Sequence, residues 1–277
     1  MSGRRPVLFV NPKSGGGKAA RVSLPDRARE RGIDVVVLGP GDDLAELALA
    51  AVEGGAEALG VAGGDGSLAI VAAVALEHGL PFVCVPAGTR NHFALDLGLD
   101  RHDLVGALDA FTAGIERRID VGDVNGRLFL NNVSVGIYGD AVREPGYRDA
   151  KGRTLLETAV RVLGPSAADD DDVEVVDDCG SIHRAPQVAL VSNNPYALEP
   201  PHAIGTRPRL DGAELGVIVL DRPSAGLAPA RAWTAPQLEI AARSPVHAGI
   251  DGEAVDLTPP LRFAIRPGAL RVRVRGP

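Results

Sequence analysis

The chain has 277 residues, of which 45% are hydrophobic and only 4% aromatic, so the composition is that of a globular protein with a core built mainly from alanine, valine and leucine. This length allows two domains. The 36 acidic and 29 basic residues give a formal net charge of −7, which argues against nucleic acid as the main partner. Cys84 and Cys179 lie far apart and the histidines show no ligand spacing, so a zinc site is not expected and a reducing compartment is indicated.

The sequence contains no predicted membrane segment. No apolar run reaches the roughly 20 residues that a spanning helix needs. The apolar run near the N-terminus is cut at Asn11-Pro12, which leaves no signal-peptide core. We therefore expect a cytoplasmic protein without a transmembrane segment.

The first predicted strand, residues 5–10, leads into a loop with the composition of a phosphate-binding loop, Asn11-Pro12-Lys13-Ser14-Gly15-Gly16-Gly17-Lys18. This loop is not a GxxxxGK[ST] P-loop, because Pro12 occupies the first glycine position and Ala19 follows the lysine. From these residues alone, a phosphate loop and an ordinary flexible loop are both open interpretations. Further along, residues 25–31 are predicted as a helix, 33–38 as a strand, and 42–52 as a helix capped by Asp42.

Two glycine-rich turns lie in the stretch 59–97, and each follows an apolar strand-like run and precedes a helix. The first is Gly63-Gly64-Asp65-Gly66, with Ser67 as the predicted helix cap and Gly79 as the predicted helix end. The second is Pro86-Ala87-Gly88-Thr89-Arg90-Asn91. Strand, turn and helix in this order predict a parallel sheet, in which ligands bind at the carboxyl ends of the strands. One glycine turn alone can be simple chain reversal, but an aspartate inside such a turn favours a binding role.

From residue 120 onward the pattern changes to short strands. Asn125-Gly126 between two alternating runs predicts a hairpin. Further strands are predicted at 173–176, 187–191, 215–220, 246–250, 261–265 and 270–274. We therefore divide the chain into an α/β domain, residues 1–119, and a mainly β domain, residues 120–277.

The basic stretch 143–161 fits either a solvated helix face or a surface for anionic groups. Asp251-Gly252-Glu253, taken alone, predicts an Asp-Gly hairpin.

Four motifs, in this order, resemble the diacylglycerol kinase catalytic-domain family, which comprises bacterial lipid kinases related to sphingosine kinases and, more distantly, to NAD kinases. They are Asn11-Pro12-Lys13-Ser14-Gly15, Gly63-Gly64-Asp65-Gly66-Ser67, Pro86-Ala87-Gly88-Thr89-Arg90-Asn91-His92-Phe93-Ala94 and Asp251-Gly252-Glu253. Each motif is weak alone, but four in the same order make a specific signal.

The resemblance implies an α/β N-terminal domain with a parallel sheet and a mainly β C-terminal domain forming a β-sandwich, with the active site in the cleft between them and the last strand returning to the first domain. It also implies an ATP- and Mg²⁺-dependent lipid kinase that transfers the γ-phosphoryl group to a hydroxyl of a diacylglycerol-like or sphingoid-like lipid. Such an enzyme would contact the inner face of the membrane peripherally, and a homodimer is compatible with the resemblance.

The resemblance also assigns residues. The expected nucleotide-binding residues are Asn11, Pro12, Ser14, Gly15, Gly63, Gly64, Asp65, Gly66, Ser67, Gly88, Thr89 and Asn91. Glu253 or Asp251 is expected to accept the proton of the lipid hydroxyl, Asp65 to organise the nucleotide and the metal, and Asp211 to help hold a structural Mg²⁺.

Four departures from the family pattern keep two alternatives open. Ala69 and Ile70 replace an asparagine and a glutamate, His92 replaces an aspartate, and Val37 or Leu38 stands where a threonine meets the nucleotide. One alternative is a kinase of a soluble acceptor such as NAD. The other is a non-catalytic, nucleotide-binding regulatory protein.

Overall fold

The computed structural model describes residues 5–136, 172–186, 188–198, 206–220 and 230–276. The chain forms two compact units, one of Met1–Ile119 with Gly268–Pro277 and the other of Asp120–Pro267. The basic stretch 143–161 lies outside the described residues. Among the described helices, none is both long enough and apolar enough to cross a membrane.

A parallel sheet forms the centre of the first unit. Its strands are β1 (Val7–Val10), β2 (Asp34–Val37), β3 (Leu59–Ala62) and β4 (Phe82–Val85), arranged in the order β2-β1-β3-β4. Every residue of β1, β3 and β4 is buried, whereas β2 at the edge is partly exposed. Continuous apolar strands of this kind are typical of parallel sheets covered on both faces. All four strands end at the same edge of the sheet, which brings their following loops together.

The first unit also contains short and medium-length helices. They are α1 (Lys18–Arg21), α2 (Leu24–Glu30), α3 (Leu44–Glu53), α4 (Asp65–Glu77), α5 (His92–Asp96) and α6 (Asp109–Thr112), with short 3₁₀ turns at Ser14–Gly16 and Gly106–Leu108. Of these, α2 contacts β2, and α4 contacts β3 and β4.

Two predicted helix starts differ from the structure. Asp43, not Asp42, caps α3 by accepting hydrogen bonds from the amides of Ala45 and Glu46; Asp42 instead accepts from the amide of Gly39. Helix α4 begins at Asp65, two residues before the predicted cap Ser67, because Gly64 already has the extended conformation of a capping residue.

The second unit is a sandwich of two sheets. Its strands are β5 (Ile115–Val124, which begins in the first unit), β6 (Arg127–Phe129), β7 (Asn132–Gly136), β8 (Glu174–Val176), β9 (Ile182–Arg184), β10 (Val188–Asn193), β11 (Leu215–Leu220), β12 (Ala230–Ala235), β13 (Gln237–Ala241), β14 (Val246–Ile250), β15 (Glu253–Leu257) and β16 (Leu261–Val274). One sheet has the order β12-β11-β10-β7-β14-β15. One core cluster joins residues of this sheet, such as Val133 and Val217, to Phe129 and Phe263 of the other strands. The predicted fold class, an α/β unit followed by a mainly β sandwich, is confirmed.

The prediction of two separate strands at the end of the chain was wrong. Residues 261–274 form the single strand β16. Its first residues pair with β13 in the second unit, and Val272 pairs with Phe82 of β4 in the first. Pro267 lies between these two pairing segments, so its missing N–H costs neither ladder a hydrogen bond.

An ion pair also connects strand β16 to β5. Arg271 donates two hydrogen bonds to Glu116, at 2.6 and 2.9 Å, and a third to the carbonyl of Gly79. The hydrogen bond from Arg271, followed by the charges of Arg271, Arg273 and Arg118, lowers the pKa of Glu116 against the opposing effect of partial burial.

We predict a pH-dependent stability difference between the wild-type protein and Glu116→Gln. Since the folded pKa of Glu116 is lowered, the pair stabilises the protein above the ordinary pKa of 4.5, by up to about 1 kcal/mol for a pair this exposed. This contribution is lost as the pH falls through the lowered pKa. Thermal melts should show the variant less stable at pH 7, with the difference shrinking below pH 4.5. A constant difference down to pH 3 would contradict the assignment.

Candidate functional site

The loops that follow β1 and β4 lie in direct contact. Gly15 has a positive φ of +55°, and a Cβ atom at this position would overlap the carbonyl oxygen of Ala87. It would also lie 3.1 Å from the carbonyl oxygen of Gly88. Only glycine combines this backbone conformation with so close an approach. The structure therefore brings two of the predicted phosphate loops together.

The loop that follows β3 joins the same cluster. A Cβ atom on Gly88 would lie 2.8 Å from the Cα atom of Gly64 and 3.1 Å from the carbonyl oxygen of Gly63. Asn91, which is 1% exposed, donates from Nδ2 to the carbonyl of Pro86 at 3.1 Å. Its buried Oδ1 has no hydrogen-bond partner among the described residues. Three glycine-containing loops thus meet at the carboxyl edge of the parallel sheet.

Helix α4 directs its N-terminus into this loop cluster. Gly64 precedes the helix, and Asp65, Gly66 and Ser67 form its first turn, all partly exposed. A Cβ atom on Gly64 would meet nothing within 4 Å, so a ligand can approach the backbone there. The free N–H groups and the positive end of the helix dipole favour an anion at this position.

Cys84 at the end of β4 is not a reactive group of this cluster. Burial, and to a lesser extent the negative charge of Asp65, raise the pKa of its thiol. The thiol therefore stays protonated and serves as an apolar core residue.

A pocket of 520 Å³ opens beside the loops. Its lining consists of Asn11, Pro12, Lys13, Leu38, Gly39, Pro40, Asp42, Asp43, Leu44, Ser67 and Ile70. Three predicted nucleotide-binding residues, Asn11, Pro12 and Ser67, belong to this lining. The other nine, Ser14, Gly15, Gly63, Gly64, Asp65, Gly66, Gly88, Thr89 and Asn91, lie in the adjoining loops and the first turn of α4, outside the lining. The lining therefore combines polar residues of the loop after β1 and of the first turn of α4 with the apolar residues Leu38, Pro40, Leu44 and Ile70.

Lys18 is a residue of this region that was not among the predicted site residues. Its ammonium donates a 2.8 Å hydrogen bond to the carbonyl of Gly88, across 70 residues of sequence. Burial, followed by the charges of Arg101 and Arg21, lowers its pKa. Because the loop does not match the P-loop pattern, the sequence provided no reason to predict Lys18 as a phosphate-binding residue. No other feature of the sequence indicated its contact with Gly88.

In the second unit, Asp251 and Gly252 form the turn of a two-residue hairpin between β14 and β15, with φ values of +49° and +88°. The Asp251 side chain is 7% exposed. One of its oxygens accepts from the amide of Leu130 at 2.8 Å, and the other accepts from the amides of Asn131 and Asn132 at 2.7 and 3.1 Å. Glu253, two residues later, is exposed at the start of β15. The two candidate bases therefore differ in burial, since Asp251 is buried and holds the backbone before β7, whereas Glu253 is exposed.

A buried polar network surrounds residues 130–132. Arg207, which is 2% exposed, donates to the carbonyls of Leu130 and Asn193 and, at 2.8 Å, to the side chain of Asn131. Asn193 donates to the carbonyls of Asp120 and Leu130. Short motifs do not indicate such a network, because its members are spread over more than 80 residues.

Asp211, the predicted metal ligand, is exposed and forms a 3.0 Å ion pair with Arg209. Within the described residues, the only three His, Cys, Asp or Glu side chains close enough to share a metal ion are Asp177, Asp178 and Cys179. The guanidinium of Arg231 already donates to all three. The described surroundings of Asp211 therefore supply no set of metal ligands, and its role stays a prediction.

Comparison with known protein families finds a match to the N-terminal part of the chain. Residues 5–124 match the family described as the diacylglycerol kinase catalytic domain, and this segment carries all three glycine loops. Over these residues the chain is therefore similar to that family. The resemblance noted from the motifs is confirmed.

Two curated relatives and one solved structure match the chain over different lengths. A diacylglycerol kinase of Mycobacterium tuberculosis is 36% identical over 122 residues, which cover 43% of this chain and 40% of that protein. A Pseudomonas aeruginosa protein named "Probable lipid kinase YegS-like" is 28% identical over 99% of this chain and 95% of its own length. A crystal structure of a diacylglycerol kinase from Bacillus anthracis superposes with a TM-score of 0.69 at 16% identity, covering 100% of this chain and 98% of that chain. The last comparison supports the fold of the described residues.

Proposed function

We propose that this protein is an ATP- and Mg²⁺-dependent lipid kinase that phosphorylates a hydroxyl of a diacylglycerol-like or sphingoid-like lipid. The observation that carries the proposal is the meeting of three glycine loops beside a 520 Å³ pocket, in a segment that matches the diacylglycerol kinase catalytic domain. Proteins named diacylglycerol kinase and lipid kinase among its relatives support a lipid acceptor.

In this proposal the loops hold the nucleotide phosphates. The backbone N–H groups near Gly64 and Gly88 approach the phosphate oxygens, and the hydroxyls of Ser67 and Thr89 supply further donors. The purine base fits the apolar part of the pocket, next to Leu38 and Ile70. Asp65 is the carboxylate in the first turn of α4, and its oxygens suit Mg²⁺, which prefers carboxylate and phosphate ligands. When bound, Mg²⁺ supplies charge neutralisation for the phosphates.

Glu253 is the proposed general base. The acceptor hydroxyl loses its proton to Glu253 as its oxygen attacks the γ-phosphorus, and ADP leaves. Asp251 is less suited to this role, because both of its carboxylate oxygens already accept backbone hydrogen bonds. We assign Asp251 to holding the backbone of residues 130–132.

One observation favours a second candidate, nucleotide binding without turnover. The pocket lining contains the apolar Ile70, where the resembled family carries a glutamate. If that glutamate is needed for the reaction, the protein binds ATP but transfers nothing.

The test is transfer of labelled γ-phosphate from ATP with Mg²⁺ into a panel of lipids in detergent micelles, with NAD and water as soluble acceptors. We expect label in a diacylglycerol or a sphingoid base. Label in NAD alone would replace the lipid with a soluble acceptor. ATP binding without any transfer would support the non-catalytic candidate.

A further inference from the structure

We propose that Lys18 is a positioning residue of the nucleotide site, because its ammonium holds the loop that follows β4 against the loop that follows β1. This inference rests on the proposed function only in naming the nucleotide as the ligand whose binding depends on this contact.

The geometry comes from two independent contacts between the same loops. Lys18, the last residue of the first loop and the first of α1, donates to the carbonyl of Gly88 in the second loop at 2.8 Å. Gly15, three residues earlier, approaches the carbonyl of Ala87 so closely that a Cβ atom would overlap it. The hydrogen bond of Lys18 holds the two loops together, and the missing side chain of Gly15 allows them to lie this close.

The side chains around Lys18 indicate that its contact with Gly88 is not part of a stabilising ion pair. Arg21 donates to the carbonyl of Gly16 at 2.6 Å, and Arg101 donates to the carbonyl of Thr89 at 2.9 Å. Three cationic side chains therefore donate hydrogen bonds to backbone carbonyls of the two loops. Among the residues that the structure describes, none of the ion pairs includes one of these three cations.

Lys18 is also partly desolvated, and burial is the main cause that lowers its pKa, followed by Arg101 and Arg21. Keeping a cation there is unfavourable for the empty protein. Replacing it with an uncharged side chain of similar length removes the repulsion together with the hydrogen bond, so little stability should be lost. What should be lost is the spacing of the loops, on which productive binding of the phosphates depends.

The experiment compares Lys18→Met, Gly15→Ala and the double variant with the wild-type protein. Arg27→Met is the matched control, because Arg27 also donates to a backbone carbonyl, that of Val22, but lies on α2. Three quantities are measured: the affinity for Mg-ATP by calorimetry, the midpoint of thermal unfolding, and hydrogen exchange of the amides at 86–91 without nucleotide.

We expect Lys18→Met to bind Mg-ATP about tenfold more weakly, to unfold within about 2 °C of the wild type, and to exchange the amides at 86–91 faster. Gly15→Ala should weaken Mg-ATP binding through the same loops. The affinity of the double variant for Mg-ATP should be at most about threefold below that of the single variant with the lower affinity. The two losses should not multiply, because both changes disturb the same contact between the loops. Arg27→Met should match the wild type in all three measurements.

Three results would overturn the inference. Unchanged exchange at 86–91 in Lys18→Met would show that the lysine does not hold the loop. Multiplicative losses of affinity in the double variant would indicate that Lys18 contacts the nucleotide directly. A large fall in thermal stability of Lys18→Met would make its role structural. Absence of Mg-ATP binding to the wild-type protein would instead overturn the proposed function, while the exchange measurement still decides whether Lys18 holds the loop.

Discussion

Replacing Glu253 with glutamine should lower the turnover of lipid phosphorylation by about 10²- to 10⁴-fold, the usual contribution of a general base. Glutamine keeps the shape of the side chain but cannot accept the proton of the attacking hydroxyl. Because Glu253 is exposed, neither the fold nor the affinity for Mg-ATP should change. Initial rates of label transfer and calorimetric titration with Mg-ATP measure the two quantities separately.

Glu214→Gln is the control for this prediction, since it makes the same substitution at an exposed glutamate of the second unit. We expect it to keep the wild-type rate. A variant Glu253→Gln that retains more than about one tenth of the wild-type turnover would exclude Glu253 as the base.

Replacing Asp251 with asparagine should destabilise the protein by about 2–3 kcal/mol, because a buried charged acceptor of backbone hydrogen bonds is lost. The carboxylate accepts three amide hydrogens, from Leu130, Asn131 and Asn132. Asparagine offers only one oxygen and points its amide group at a backbone N–H. The midpoint of thermal unfolding should fall by about 5–10 °C.

The control is Asp123→Asn, which changes an aspartate that accepts a single amide hydrogen, from Gly126, in an exposed hairpin. Its effect on the melting midpoint should be small. If Asp251→Asn instead melts like the wild type but loses turnover as completely as Glu253→Gln, then Asp251 takes part in the reaction and the division of roles between the two carboxylates is wrong.

Much of the fold could be predicted because its signals are local. The buried apolar strands β1, β3 and β4 are short runs that end in glycine turns, and Gly79 has the positive φ expected after a helix end. Asn125 and Gly126 likewise adopt the positive φ values of a two-residue hairpin. In each case the backbone conformation depends on the residues themselves, so the sequence alone indicates it.

The site could be predicted only in part. The glycine loops were recognisable from the sequence because a close approach between two backbones requires glycine, whichever segment of the chain supplies the second backbone. The cap of α3 was placed one residue too early, because Asp42 and Asp43 are chemically equivalent in the sequence and only the path of the chain decides which one faces the free amides.

By itself, then, the sequence determined the α/β and β units, the three glycine-containing loops and the resemblance to the family, since these follow from local conformation and from motif order. Only the tertiary structure decided what the side chains do between distant segments. Asp251 reaches Leu130, 121 residues earlier, and Lys18 reaches Gly88 across 70 residues. Strand β16 runs through Pro267 because its two ends pair with different strands. Such contacts depend on how separate elements meet, and no spacing along the chain encodes the distances between them.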